Sequence, residues 1–343
     1  MRAGPAALIT CFMASQACPA AAQAIFDDFG SGSPSPNWFV CSRSENSFTF
    51  GPVDGEGRSA ATATVRNRRT TGALLSPQSH AGCRNEDGSY TADGQERAEL
   101  WEAKAVWKPI GTDIWYRFDM FVDDSITSRT GRFVIGQWKQ DDPPKDAPLL
   151  AQRFNERIFK VTIEQDNELP ERNPADVLCR VVIAAQETAR SRPGYGDGHD
   201  LNAPTLFDEI QSSPPLSIGH DLKGVTHTVA PGEEEAEVSC ARDISVEVFA
   251  PLPDPFGKWT TMVYHLRIGA DEQSLVEIWA NGRKISRTTG RIGFRPFDAE
   301  DRQFFKFGPY RNPAWFTTLT RLSRYARSEK KADVDPDGTL APD

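Results

Sequence analysis

The sequence predicts an all-β fold, a jelly-roll sandwich with a long loop insertion, on three observations. Short segments with apolar residues at alternate positions recur along the chain, and alternation puts one face of each strand in a core and the other outside it. Gly, Pro, Asn and Asp separate these segments, as turns between strands require. No segment carries a sustained helical period. Many short strands with turns between them bury their apolar faces by packing as two facing sheets.

Within the chain, Ile114 to Val122 alternates most clearly. Ile114, Tyr116, Phe118, Met120 and Val122 share one side, and Trp115, Arg117, Asp119 and Phe121 the other. Phe133 to Lys139, Ile158 to Glu164, Ile244 to Phe249 and Thr261 to Ile268 follow the same rule. Ser274 to Ala280, then Asn281-Gly282, then Arg283 to Arg287 predicts a hairpin, because Asn-Gly tolerates the positive φ angles of a type I′ turn. From about residue 166 to 241 the rhythm breaks into Pro, Gly and charge. This stretch is expected to lie over the sheet as an insertion rather than form a second core. Residues 328–343 are charged and contain Pro and Gly, and a loose tail is expected.

The N-terminus predicts export. Arg2, a mostly apolar stretch from Ala6 to Ala17, and the small-x-small pattern Ala22-Gln23-Ala24 have the form of a signal peptide over residues 1–24. Cleavage near Ala24 would deliver a secreted or periplasmic domain spanning 25–327. It would leave Cys41, Cys83, Cys179 and Cys240, with Cys41–Cys83 and Cys179–Cys240 the expected pairing among those possible.

Composition narrows the function. A chain of 343 residues with 38% hydrophobic content, 20 Phe and 8 Trp sustains a large core and excludes disorder of the whole. A net charge of −9 argues against a general nucleic-acid partner. No apolar run reaches the roughly 18 residues a membrane span needs, and a monomer is expected. There is no CxxC or clustered His/Cys spacing for structural zinc. Structural calcium is left open, since Asp123-Asp124 and Asp141-Asp142 are too common a pattern to decide it.

Three distant segments carry the chemistry: Arg97-Ala98-Glu99-Leu100, Gln137-Trp138-Lys139, and Phe305-Lys306-Phe307-Gly308-Pro309-Tyr310. On strands, Arg97 points with Glu99, Gln137 with Lys139, and Lys306 with Gly308 and Tyr310. Gly308, between a cation and a phenol, is expected to leave room for a ligand. Guanidinium, amide, ammonium and phenol together suit the holding of a carboxylate while a proton moves beside it, which points to an acidic sugar polymer. For a net-negative protein such a polymer requires a locally basic groove, within which screening over about 8–10 Å lets local charge prevail. Glu99 is expected to orient Arg97. Trp101, Trp115, Trp138 and Trp279 are candidates for sugar stacking or for core, and His265 is expected to be structural.

These segments, in this order, resemble the jelly-roll polysaccharide lyases, which include the alginate lyases and the heparin lyase I-like group. The heparin lyase I-like superfamily is the closer match, through the segments above together with Glu277-Ile278-Trp279-Ala280-Asn281-Gly282 and Arg311. The resemblance covers roughly Ile25 to Arg324, the insertion poorly. It implies a concanavalin A-like sandwich and β-elimination on a uronate polymer without a required cofactor. Tyr310 matches the tyrosine that protonates the leaving oxygen, Gln137 the amide at the carboxylate, and Lys306 and Arg97 basic residues of the groove. Arg311, Glu99 and Trp138 would join Lys306 in binding substrate. Where the family places its histidine base stands Lys139. A lysine base would need burial or cationic neighbours to lower its pKa. Alternatively Lys139 neutralises the carboxylate while Tyr310 acts as base and acid, or a histidine arrives from the insertion (His199, His220 or His227). A non-catalytic carbohydrate-binding protein of the same fold is the alternative function. A glycoside hydrolase would need two spaced carboxylates, and no E-x-D-x-E cluster is present.

Overall fold

The computed structural model describes residues 24–42, 47–66, 96–126, 133–141, 147–155, 157–166, 178–186, 225–228, 244–269, 273–294, 300–311, 314 and 316–341. Among them two nine-stranded antiparallel sheets face each other as a jelly-roll sandwich. The first sheet runs β13 (Ser245–Val248), β16 (Arg283–Gly290), β15 (Ser274–Ala280), β14 (Trp259–Arg267), β7 (Asp113–Val122), β18 (Thr318–Ser328), β4 (Arg58–Val65), β3 (Phe48–Val53), with β1 (Ile25–Asp27) also beside β18. The second runs β12 (Val225–Thr228), β11 (Leu178–Ala185), β10 (Ile158–Asp166), β9 (Leu150–Asn155), β8 (Phe133–Gln140), β17 (Arg302–Arg311), β5 (Glu96–Glu102), β2 (Trp38–Ser42), with β6 (Lys108–Pro109) also beside β17.

Alternation explains the core. The five apolar side chains expected on one face of β7 are all fully buried. They meet Leu100, Trp138, Phe305 and Phe307 of the second sheet in one continuous cluster. Trp138 lies at its centre, 4.5 Å from Tyr264 and 4.6 Å from Phe305 between ring centroids. The β15–β16 hairpin turns at Asn281 and Gly282, both at positive φ (50° and 80°), as the type I′ geometry demands.

A buried polar link crosses the sandwich. Glu102 of β5 accepts from Arg327 Nη1 (2.7 Å), the Tyr325 hydroxyl (2.5 Å) and the backbone N–H of Phe305 (2.9 Å). Burial alone would lower the Arg327 guanidinium, but the Glu102 charge outweighs it and raises its pKa. Burial pushes the Tyr325 phenol up, and Glu102 adds to that.

Two expectations about architecture are corrected. Within residues 166–241 the described parts are β11 and β12, which continue the second sheet. Val181 to Ala185 supply core side chains, so this stretch builds the sandwich as well as decorating it. The C-terminal segment, expected loose, is packed: a short helix α1 (Lys331–Val334) leads into a strap across the outer face of the first sheet. Val334 and Leu340 are buried against Trp115, Val263 and Trp279. Trp279 Nε1 donates to the Ala341 carbonyl (3.1 Å), and Arg117 Nη1 to that of Val334 (3.0 Å). The apolar outer face left by Trp115 and Trp279 is what the strap covers, and this places both tryptophans away from any sugar.

His265 lies on that same outer face, stacked on Trp115 at 4.0 Å. Its Nε2 contacts Asp113 Oδ1 (2.5 Å) and its Nδ1 contacts Glu277 Oε2 (2.8 Å). Burial would raise the Glu277 carboxyl, but hydrogen bonds from His265 and Lys284 prevail and hold it at about 2. A folded pKa held below the ordinary 4.5 contributes stability present above that value and lost as pH falls toward 2. Glu277→Gln is therefore expected to flatten the acid decline of the melting temperature between those values. An unchanged acid decline would contradict this.

The four cysteine positions divide. Cys41 is buried in β2, whereas Cys83, Cys240 and the side chain of Cys179 lie outside the described residues, as does the segment 1–23.

Candidate active site

The second sheet has one apolar face in the core and one polar face. Register aligns the polar face into transverse rows. Phe39 pairs with Trp101, Trp101 with Lys306, Lys306 with Gln137, Gln137 with Ala151, and Ala151 with Thr162. Further along, Arg97 pairs with Tyr310, Tyr310 with Val134, and Val134 with Arg153. Residues separated by more than two hundred positions in the chain thus become neighbours about 4.8 Å apart.

Glu99 organises the face. It is 1% exposed and accepts from Gln137 Nε2 at 2.7 Å and from Trp101 Nε1 at 3.4 Å. Gln137 bonds Oε1; Oε2, which accepts from Trp101, also lies 3.8 Å from Arg97 Nη1. The carboxylate is buried and engaged with Gln137 and Trp101, with Arg97 close by, which suits it to positioning donors rather than binding an acidic ligand. The Arg97 guanidinium lies 4.6 Å over the ring of Tyr310, which is half-buried. Lys306 Nζ sits 3.5 Å over Trp101. A cation over an aromatic face is held by the ring quadrupole, so both charges have defined positions.

Gly308 has a different purpose from the one expected. Its φ is +134°, and a Cβ there would meet the Ala98 carbonyl oxygen at 2.0 Å. The missing side chain admits backbone rather than ligand. The glycine forms part of an irregularity between Phe307 and Tyr310, where the backbone of β17 closes on that of β5 at Ala98. Gly308→Ala is expected to cost at least about 1–3 kcal/mol from the backbone conformation alone, with activity falling further as Tyr310 leaves Arg97. Chemical denaturation and turnover measured together check this, and a variant of unchanged stability would refute it.

Lys139 is buried on the same strand as Gln137, but it pairs with Phe304. Tyr310 pairs with Val134 on that strand, five positions away, or about 16 Å along it. Lys139 and Tyr310 therefore flank Gln137 from opposite sides and do not form an adjacent pair. Arg311 and Trp138 are corrected. Arg311 is 0% exposed and bonds Glu96 (3.0 Å), Thr318 and the Phe316 carbonyl (2.6 Å); it points to the interior because it alternates with Tyr310. Trp138 is likewise 0% exposed in the core. His199 and His220, and the side chain of His227, lie outside the described residues.

Sequence reasoning missed Arg153 and Glu164, which join the polar face from β9 and β10. Arg153 Nε donates to Thr162 (2.9 Å) and its guanidinium pairs with Glu164. A charged residue inside the apolar strand Leu150–Asn155 was the available signal. Among the described residues no group of three or more His, Cys, Asp or Glu side chains is arranged to hold a metal. Asp123 instead accepts from Ser125 (2.7 Å) and Leu319 (3.2 Å), and Asp124 pairs with Arg157 (2.9 Å).

The chain is similar to the solved structure of an endo-β-1,4-glucuronan lyase from the fungus Trichoderma reesei, at 12% identity and a TM-score of 0.44, covering 88% of this chain and 99% of that one. It is also similar to alginate lyase AlgAT5 of polysaccharide lyase family 7, at 10% identity, TM-score 0.40, and 85% and 94% coverage. A third is alginate lyase A1-II′ of the same family, at 13% identity, TM-score 0.41, and 85% and 94% coverage. No curated protein sequence matches. The family model described as polysaccharide lyase matches residues 44–326, a span that takes in both sheets apart from β1, β2 and the end of β18. The chain belongs to the polysaccharide lyase family.

Proposed function

We propose that the protein cleaves a uronic-acid-containing polysaccharide by β-elimination, with Tyr310 moving the proton. The observation that carries this reading is the Arg97 guanidinium 4.6 Å over the Tyr310 ring, beside an amide and an ammonium on the same face. While the substrate carboxylate keeps its charge, the C5 proton is very weakly acidic. Gln137, Arg97 and Lys306 would share that charge and stabilise the enolate-like intermediate, in the manner of an oxyanion hole. Glu99, by fixing Gln137 at 2.7 Å, removes the reorganisation such a donor would otherwise undergo.

The Tyr310 phenolate takes the proton from C5, and the electron pair left behind forms the C4–C5 double bond as the C4–O4 bond breaks. The phenol then returns its proton to O4 of the departing sugar and is again a phenolate. The nearby Arg97 cation favours the charged form at the start and end of the cycle. Lys139, opposite Phe304, holds a carboxylate further along the polymer in this scheme.

An exported protein is part of the same proposal. The signal-like segment 1–24 supports it, and pairing of the cysteines left after its removal, expected from the sequence, would be favoured outside the reducing cytosol. The test offers purified protein a panel of uronate polymers and follows the ultraviolet absorbance of unsaturated sugar ends. A rise with one polymer is expected. New reducing ends without that absorbance would mean hydrolysis, and binding without either would mean a non-catalytic carbohydrate-binding protein.

A further inference from the structure

Phe39 is one of the large apolar side chains left exposed, at 42%. A single exposed phenylalanine is ordinary; its position is not. Phe26, also exposed, belongs to β1 of the first sheet, and Phe249 lies near Lys284, at 5.1 Å. Phe39 stands on β2, the end of the second sheet's strand order, and in the transverse row that continues through Trp101 and Lys306 to Gln137. Three strand spacings separate Gln137 from Phe39, or about 14 Å, longer than one pyranose ring.

The row changes character along its length. At Gln137 it offers hydrogen-bonding groups, at Lys306 a charge, and at Trp101 and Phe39 two rings 5.9 Å apart and inclined by 57°. Trp101 is partly exposed, with Lys306 Nζ over its face and its Nε1 donating to Glu99. An aromatic pair continuous with a row of cationic and amide side chains matches a polymer whose pyranose rings present C–H faces and whose edges carry carboxylates. We infer that Phe39, flanked by Trp101, forms a sugar-stacking subsite at the β2 end of the polar face, taking a pyranose ring of a uronate polymer beyond the bond that is cut. Lys306, fixed over Trp101, stands between this ring and the reacting sugar, whose carboxylate it shares with Gln137 and Arg97. The subsite rests on the lyase reading for its substrate class, and it makes affinity depend on chain length.

Calorimetric titration of β-1,4-linked glucuronate and mannuronate oligosaccharides of graded length tests it, with Tyr310→Phe as the parent so that the chains stay intact. Phe39→Ala in that background is expected to weaken the long oligosaccharides about tenfold, the equivalent of uncovering one ring face, and to leave the shortest unchanged. Phe39→Trp is expected to keep long-chain affinity, and the exposure of the residue leaves the melting temperature unmoved in both. Equal losses at every length, or none, overturn the subsite while the lyase reading stands. A parent that binds no uronate oligosaccharide overturns the uronate reading and the subsite together.

Discussion

Tyr310→Phe is expected to lower turnover of the uronate polymer by about 10²–10⁴-fold, the range for removal of a positioned proton-transfer group. Oligosaccharide affinity should change little. The substitution keeps the ring that Arg97 covers at 4.6 Å and the strand register that opposes Tyr310 to Arg97; it removes only the hydroxyl. A loss confined to kcat would separate chemistry from binding. Residual activity within tenfold of the parent would transfer the proton work elsewhere. Lys139→Ala would then be the informative variant, since Lys139 lies on the far side of Gln137 along β8.

Glu102→Ala is expected to destabilise the fold by about 3–5 kcal/mol, the cost of leaving a buried charge without its partner. Glu102 and Arg327 are each 2% exposed, and Glu102 serves Arg327, Tyr325 and the Phe305 N–H, while Arg327 also donates to the Val106 carbonyl. It joins β5 of the second sheet to β18 of the first, so its loss loosens the sandwich directly behind Trp101. Replacing both partners at once, Glu102→Leu with Arg327→Met, is expected to cost far less, because no charge then remains to be desolvated. Urea denaturation of the two variants beside the parent protein distinguishes the cases. A single-variant loss below about 1 kcal/mol would mean that water reaches the pair.

The strands were legible because burial on one face writes itself into the sequence with a period of two. Ile114 to Val122 and the Asn281-Gly282 hairpin needed nothing beyond alternation and turn chemistry. The polar face was legible in part for the same reason: Arg97, Gln137, Lys306 and Tyr310 stand out as polar groups in apolar strands. Where the reading missed, the cause was tertiary. Arg311 and Tyr310 are neighbours in sequence, yet one is wholly buried against Glu96 and Thr318 and the other stands half-buried on the polar face under Arg97. Only the packing of the first sheet behind β17 decides that a guanidinium there has partners. The C-terminal segment is polar enough to be read as loose, and it is held because Trp115 and Trp279 present an apolar outer face.

By itself the sequence determined the sandwich, its strands, and the kinds of polar group that stand on one of its faces, because these depend on local period and residue chemistry. The tertiary structure alone decided that Lys139 is about 16 Å along the strand from the position of Tyr310, that Gly308 admits a carbonyl rather than a ligand, and that Phe39 falls in line with Gln137. Each of these depends on the register between strands far apart in the chain, which hydrogen-bond pairing sets in space and no local pattern records.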